Sequence, residues 1–190
     1  MPFIKTDFPG LMIFEPVIFD DGRGYFYESY NQKVFQDAGL EINFIQDNQS
    51  SSTFGVIRGL HYQHPPFSQI KLIRVLRGAI LDVAVDMRKN SPTYGKAYTI
   101  ELSSENKKQL LVPKGFAHGY SVISDTADVF YKCDVFYNKQ SEGGIAYNDP
   151  GLNIDWRIPA DKVVVSEKDS RHPNLPESEN KFVFNDASVQ

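Results

Sequence analysis

In the run VIRGLHYQHPP, residues 56–66, an arginine and two histidines stand among apolar residues before two consecutive prolines end the segment. A core strand wants neither charge nor titratable rings. The run therefore reads as one that meets something polar at His61. Three more groups of this kind sit in apolar surroundings: Lys71 in IKLIRVL, His118 in AHGYSVIS and Tyr131 in DVFYKCDVF. Imidazole, phenol and ammonium groups transfer protons or answer negative charge. Arg58 and Arg23, the latter in the run DDGRG at residues 20–24, carry planar donor forks suited to phosphate.

Each of these groups also has a plainer explanation. A lone inward tyrosine is usually a core residue whose hydroxyl bonds to backbone, and a lone inward histidine is usually a satisfied core histidine. Lys71 begins its strand, where its stem could carry the ammonium back to solvent. His61 and His64 have the HxxH form, yet on a strand they face opposite ways, and no HExxH or cysteine pair accompanies them. That metal signal is weak. DDGRG lacks the spacing of a calcium loop and reads more simply as a turn between strands. No Gly-rich nucleotide loop, serine elbow or cysteine nucleophile context occurs.

The elements that must position these groups are strands. Short runs rich in Val, Ile, Phe and Tyr recur between turn residues, from LMIFEPVIF through VIRGLHYQ, IKLIRVL and AILDVAVDM to DVFYKCDVF. That rhythm predicts an all-β sandwich or barrel. Helical patterning is confined to residues 31–38, with Asn31 as N-cap and Gly39 as stop, and to a turn after Pro159. Gly78 suits a tight hairpin between LIRVLR and AILDVAVDM, while Pro92 and Gly95 mark a longer turn. One domain is expected over residues 1–190, with its core over about 10–170 and a polar arm over about 171–190 packed on it.

Alternation along strands sorts faces. Tyr131 shares parity with Val129, Cys133 and Val135; His118 with Phe116, Tyr120 and Val122; Lys71 with Ile73 and Val75. All three polar groups then point inward, which predicts a lined pocket. Strict alternation would put Arg58 and His61 on opposite faces, so bringing both to that pocket requires a bulge or bend, for which Gly59 is the natural site. Pro65 and Pro66 would end the strand at the rim.

Composition narrows the partners. A formal charge of −4 gives no general attraction to nucleic acid or to an anionic membrane. Cys133 is the single cysteine, which excludes an intrachain disulfide framework. The start, MPFIKTDFPG, lacks the pattern of a signal peptide, and no run has the length of a membrane span. Cytoplasm is the expected address.

Blocks in a fixed order carry a family likeness: DGRGYF from Asp21, QDNQS from Gln46, RGLHYQ from Arg58, KLIRVLRG from Lys71, VPKGFAHG from Val112, VFYK from Val129, EGGI from Glu142, NDP from Asn148 and SEKD ending at Asp169. On these the sequence resembles the dTDP-4-dehydrorhamnose 3,5-epimerase family. The resemblance implies a cupin-type jelly roll, homodimeric, working without metal or cofactor on a dTDP-sugar in dTDP-L-rhamnose biosynthesis. By motif it implies His61 as base, Asp169 as its orienting carboxylate, Tyr131 as acid and Lys71 beside the sugar keto oxygen. It implies substrate contacts at Arg23, Glu28, Gln46, Asn48, Arg58, His118, Glu142 and Lys168, and an aromatic stacked on thymine at Tyr137.

The implied chemistry suits the residue types. A C4 ketone acidifies the hydrogens at C3 and C5; removal of either leaves an enolate with its charge on O4, and reprotonation from the other face inverts the carbon. Histidine is titratable near neutral pH, and a carboxylate fixes its tautomer. Two alternatives stay open: a related enzyme inverting C3 alone or a metal-dependent cupin, and a non-catalytic sugar-nucleotide-binding jelly roll. A base, an acid and an orienting carboxylate together exceed what binding alone requires.

Overall fold

The alternating apolar runs form strands, and among the described residues, 2–185, this computed structural model contains fourteen. In chain order they are β1 (Phe3–Lys5), β2 (Met12–Phe14), β3 (Phe19–Asp21), β4 (Gly24–Phe26), β5 (Gln46–Thr53), β6 (Val56–Gln63) and β7 (Lys71–Arg77). There follow β8 (Ala79–Asp86), β9 (Ala97–Ser103), β10 (Gln109–Val112), β11 (Phe116–Val122), β12 (Thr126–Cys133), β13 (Glu142–Gly144) and β14 (Val164–Val165). One sheet runs β1, β2, β10, β7, β12, β5; the other runs β13, β6, β11, β8, β9, with β14 parallel beside β6. The two close face to face as the expected cupin-type jelly roll.

The apolar parity found in the sequence is what holds them together. Ile73, Val75, Leu110 and Val129 from one sheet pack against Ile80, Ala84, Leu102, Phe116 and Val122 from the other. Each sheet also has a covered outer face. Leu72 and Leu111 lie under Phe35 of the helix α1 (Gln32–Asp37), which is capped by Asn31 and followed by Gly39 at φ +80°. On the other side Ile57, Leu60, Val83 and Ala117 lie under Trp156, Leu152 and Phe182. Phe182 and the Lys89–Val183 bridge fasten the C-terminal arm to the outer face of the second sheet; residues 186–190 of that arm lie outside the described residues.

Two local readings change. Gly78 does not turn a hairpin: β7 and β8 belong to different sheets, so the glycine turns a corner between them. Its φ is +76°, and a Cβ there would run into the backbone carbonyl of Thr126, so only glycine fits. A hairpin and a sheet-to-sheet corner leave the same one-glycine signal. The strand near NFIQDN starts later and continues through the polar run QDNQSSST, where alternate residues are half-buried. β5 is an edge strand, and its inward residues are polar because they face a cavity.

Candidate active site

The site is built where β6 departs from regular pairing. His118 of β11 pairs with His61 and Tyr120 pairs with Arg58, so one residue on β11 faces two on β6, Gly59 and Leu60. That bulge turns Arg58 and His61 to the same side, and both line one cavity. Gly59 has φ +130°, and a Cβ on it would lie 2.5 Å from the Cα of Gly119. Glycine is therefore required at the bulge by backbone conformation and by the close approach of β11 together.

The cavity has two lobes. The larger, about 450 Å³, is lined by Arg58, His61, Lys71, His118, Tyr131 and Asp169, with Ser50 and Tyr120. The smaller, about 230 Å³, is lined by Gln46, Asn48, Tyr137 and Glu142 and again by His61, Lys71 and Tyr131. Those last three side chains stand where the lobes meet. His61 comes from one sheet and Tyr131 and Lys71 from the other, so the barrel holds them on opposing walls.

The His61 ring is oriented by a carboxylate. Its Nε2 lies 2.8 Å from Asp169 Oδ1, while Asp169 Oδ2 accepts the Gly59 N–H at 3.2 Å. Burial works against the Asp169 charge, but the hydrogen bond and charge of His61 and the Gly59 amide outweigh it and hold the carboxyl down at about 2. An ionised Asp169 accepts, so in the neutral ring Nε2 of His61 carries the proton and Nδ1 the lone pair. Across the cavity, burial and then Cys133 and Tyr120 push the Tyr131 phenol up to about 12. Its hydroxyl makes no hydrogen bond within the described chain, so it is protonated and unengaged.

Lys71 is likewise unengaged. Burial lowers its ammonium from the ordinary range, opposed by Cys133, Asp82 and Glu142, and no side chain among the described residues hydrogen-bonds to it. An amine without a partner at the junction of two lobes is placed to meet an anionic oxygen, whose charge would favour its ammonium form against that burial. His118 is buried, its Nε2 2.9 Å from Asp82 Oδ1, and Asp82 is fully buried in β8. At the second lobe Glu142 accepts from Tyr137 Oη at 3.0 Å and pairs with Lys168 at 2.6 Å; burial opposes its charge, but these bonds lower its pKa. Gln46 accepts the Tyr137 N–H at 2.9 Å and donates to Asn48 at 3.0 Å.

Eleven of the thirteen residues named from the sequence thus belong to one constellation. Arg23 and Glu28 do not join it. Arg23 sits in the turn of the β3–β4 hairpin and Glu28 just past its exit, and among the described residues that hairpin is a two-stranded sheet of its own; Arg23 forms an exposed ion pair with Asp21 at 2.6 Å, and Glu28 accepts from Asn31. His64 turns away, stacking on Phe182 near Glu179. Sequence reasoning missed Asp82, although its parity with Ile80 and Ala84 within AILDVAVDM was a signal. It also missed His172, which follows the 3-10 turn Asp169–Arg171 and brings its Nε2 to 3.8 Å from Asp169 Oδ1.

A family model described as dTDP-4-dehydrorhamnose 3,5-epimerase matches residues 5–177. The chain belongs to the dTDP-4-dehydrorhamnose 3,5-epimerase family. Its relatives include the dTDP-4-dehydrorhamnose 3,5-epimerase of Shigella flexneri, 52% identical over 170 residues, which cover 89% of this chain and 93% of that one. Among solved structures, the epimerase of Elizabethkingia anophelis NUHP1 superposes with a TM-score of 0.88 at 52% identity, covering 92% of this chain and 96% of that one. The dTDP-6-deoxy-D-glucose-3,5-epimerase of Legionella pneumophila Philadelphia 1, solved in complex with dTDP-4-keto-L-rhamnose, gives 0.88 at 46% identity over 92% and 93%. Membership of this epimerase family and the two-walled cavity are independent observations, one from the whole sequence and one from the placement of His61, Lys71 and Tyr131. No helix among the described residues is long and apolar enough to cross a membrane.

Proposed function

We propose that the protein is a dTDP-4-dehydrorhamnose 3,5-epimerase, converting dTDP-4-dehydro-6-deoxy-D-glucose to dTDP-4-dehydro-L-rhamnose. The observation that carries the mechanism is the opposition of His61 and Tyr131 across one cavity with Lys71 between the lobes. Nδ1 of His61 takes the proton from C3 or C5, and Asp169 steadies the imidazolium through Nε2. The carbon's electron pair moves into the enolate, whose oxyanion O4 meets the Lys71 ammonium. Tyr131 then gives its proton to the carbon from the far wall, inverting it. The phenolate and the imidazolium are reset by proton exchange with solvent before the second carbon is turned. Arg58 serves the diphosphate, Tyr137 the thymine, and Gln46, Asn48, Glu142, Lys168 and His118 hold the remaining polar groups of the substrate.

The same reading assigns a homodimer. Phe19 and Phe26, facing each other in the β3–β4 hairpin, are 61% and 66% exposed, an arrangement suited to burial against a second copy. Arg23 and Glu28 are carried by this hairpin and its exit, so each copy would supply them to the other's cavity. A complementation test follows: Arg23→Ala and His61→Asn chains, each impaired alone, regain activity when refolded together if sites are shared. Absence of any gain counts against the shared site.

The function itself is tested by incubating purified protein with dTDP-4-dehydro-6-deoxy-D-glucose and reading product configuration from proton couplings. Inversion at both carbons is expected. Inversion at C3 alone would make the protein a 3-epimerase, and an unchanged sugar would make it a binding protein.

A further inference from the structure

The dyad has a third neighbour that proton transfer does not use. The His172 ring meets His61 edge to face with centroids 5.6 Å apart. Its Nε2 is buried, has no hydrogen-bond partner among the described residues, and faces Asp169 Oδ1 at 3.8 Å. Gly144 makes the room, since a Cβ there would collide with that ring. One donor atom from each of His61, Asp169 and His172 falls within 4.8 Å of the other two.

We propose that His61, Asp169 and His172 form a site for a borderline divalent cation such as Zn2+, and that occupation of this site switches the catalytic base off. Two imidazoles and a carboxylate are a donor set that zinc accepts, with a fourth position left to water. A tetrahedral ion with bonds of about 2.0 Å sets its donors about 3.3 Å apart. The separations present, 2.8 Å from His61 Nε2 and 3.8 Å from His172 Nε2 to the same carboxylate oxygen, bracket that spacing. The third separation, between the two imidazoles, lies within 4.8 Å, so side-chain shifts of roughly an ångström reach it. A buried imidazole nitrogen without a partner is costly to keep, and the ion would satisfy it.

Loss of activity follows from the tautomer. In the free dyad, Asp169 accepts the Nε2–H of His61, and the lone pair on Nδ1 is the one available to substrate. A metal bound at Nε2 needs a lone pair there, so the ring's proton resides on Nδ1 instead. The ring keeps the same number of protons, but Nδ1 can no longer take one from carbon. Binding of the ion rests on the geometry alone; inhibition rests also on His61 being the base. Mg2+, which prefers oxygen donors and six-coordination, does not fit the donor set.

The test uses the full chain and His172→Asn, with His172→Gln as a second variant, each checked by a thermal melt. ZnCl2 is titrated twice, by calorimetry for binding and by product formation for turnover. The parent should bind one Zn2+ per chain in the micromolar range, lose turnover in step, recover it with EDTA and ignore Mg2+. The His172 variants, each referred to its own zinc-free turnover, should need at least about tenfold more zinc for both effects, since loss of a ligand costs no less than the loss of an outer-shell partner. Equal zinc affinity in parent and variants, or no binding by the parent in the micromolar range, overturns the site. Zinc bound through His172 with turnover unchanged overturns the inhibition, and hydrogen exchange in His61→Asn then shows separately whether the base was misassigned.

Discussion

Tyr131→Phe separates a packing residue from a proton donor. The ring is half-buried on β12 against the central core, and its hydroxyl makes no hydrogen bond within the described chain. Phenylalanine keeps the ring and its contacts, so the stability cost should stay below the roughly 1 kcal/mol of one lost hydrogen bond. The hydroxyl is nevertheless a protonated, unengaged acid on the wall opposite His61, with its pKa pushed up to about 12. If it delivers the proton, its loss should lower epimer formation by about 10²-fold, or ~2.7 kcal/mol of barrier. His61 would still remove a proton and return one on its own face, so deuterium should continue to enter from heavy water with configuration retained. The assay compares deuterium incorporation with inverted product in the same sample, after a melt has established folding. Parent-like rates in both signals would refute the assignment and return Tyr131 to the core.

Lys71→Met keeps the apolar stem and removes the charge; kcat should fall by about 10²-fold, corresponding to the ~3 kcal/mol typical of one preorganised oxyanion donor, with KM changing far less, and a loss confined to KM would argue for a binding role only. Gly59→Ala forces a Cβ to 2.5 Å from the Gly119 Cα at φ +130°, at a cost of about 3 kcal/mol. Its melting temperature should drop by roughly 10 °C, and a parent-like melt would show that the bulge tolerates a side chain. The Asp169 carboxyl, lowered from 3.8 to about 2 on folding, contributes stability that is fully present above its unfolded value and is lost as pH falls through its folded one. Its contribution of about 2 kcal/mol should therefore vanish between pH ~4 and ~2, narrowing the melting difference between parent and Asp169→Asn; a difference unchanged over that window would contradict the shift.

Much of the site was legible because strand parity is a local property. Knowing only that Tyr131, His118 and Lys71 alternate with apolar neighbours was enough to aim them inward, and the core contains those neighbours. The bulge at Gly59 was legible for the opposite reason: Arg58 and His61 could share a pocket only if alternation broke between them, and a glycine stood there. Partnerships across long separations were not legible in this way. Asp169 meets His61 across 108 residues and Asp82 meets His118 across 36; the first was named only through the family resemblance and the second was missed. Gly78 misled because the turn chemistry of a hairpin and of a sheet corner is the same, and strand pairing decides between them. Arg23 and Glu28 matched a motif, but a motif carries no information about distance, and the hairpin and its exit hold both outside the cavity lining.

The central claim is that one base, His61, opens both carbons of the sugar. The most direct measurement is proton NMR of dTDP-4-dehydro-6-deoxy-D-glucose in heavy water with the parent and with His61→Asn, following the C3 and C5 signals separately. The parent should exchange both positions while product forms, and His61→Asn, still binding the nucleotide, should exchange neither. Deuterium entering C5, or both carbons, at the parent's rate in His61→Asn would contradict the account.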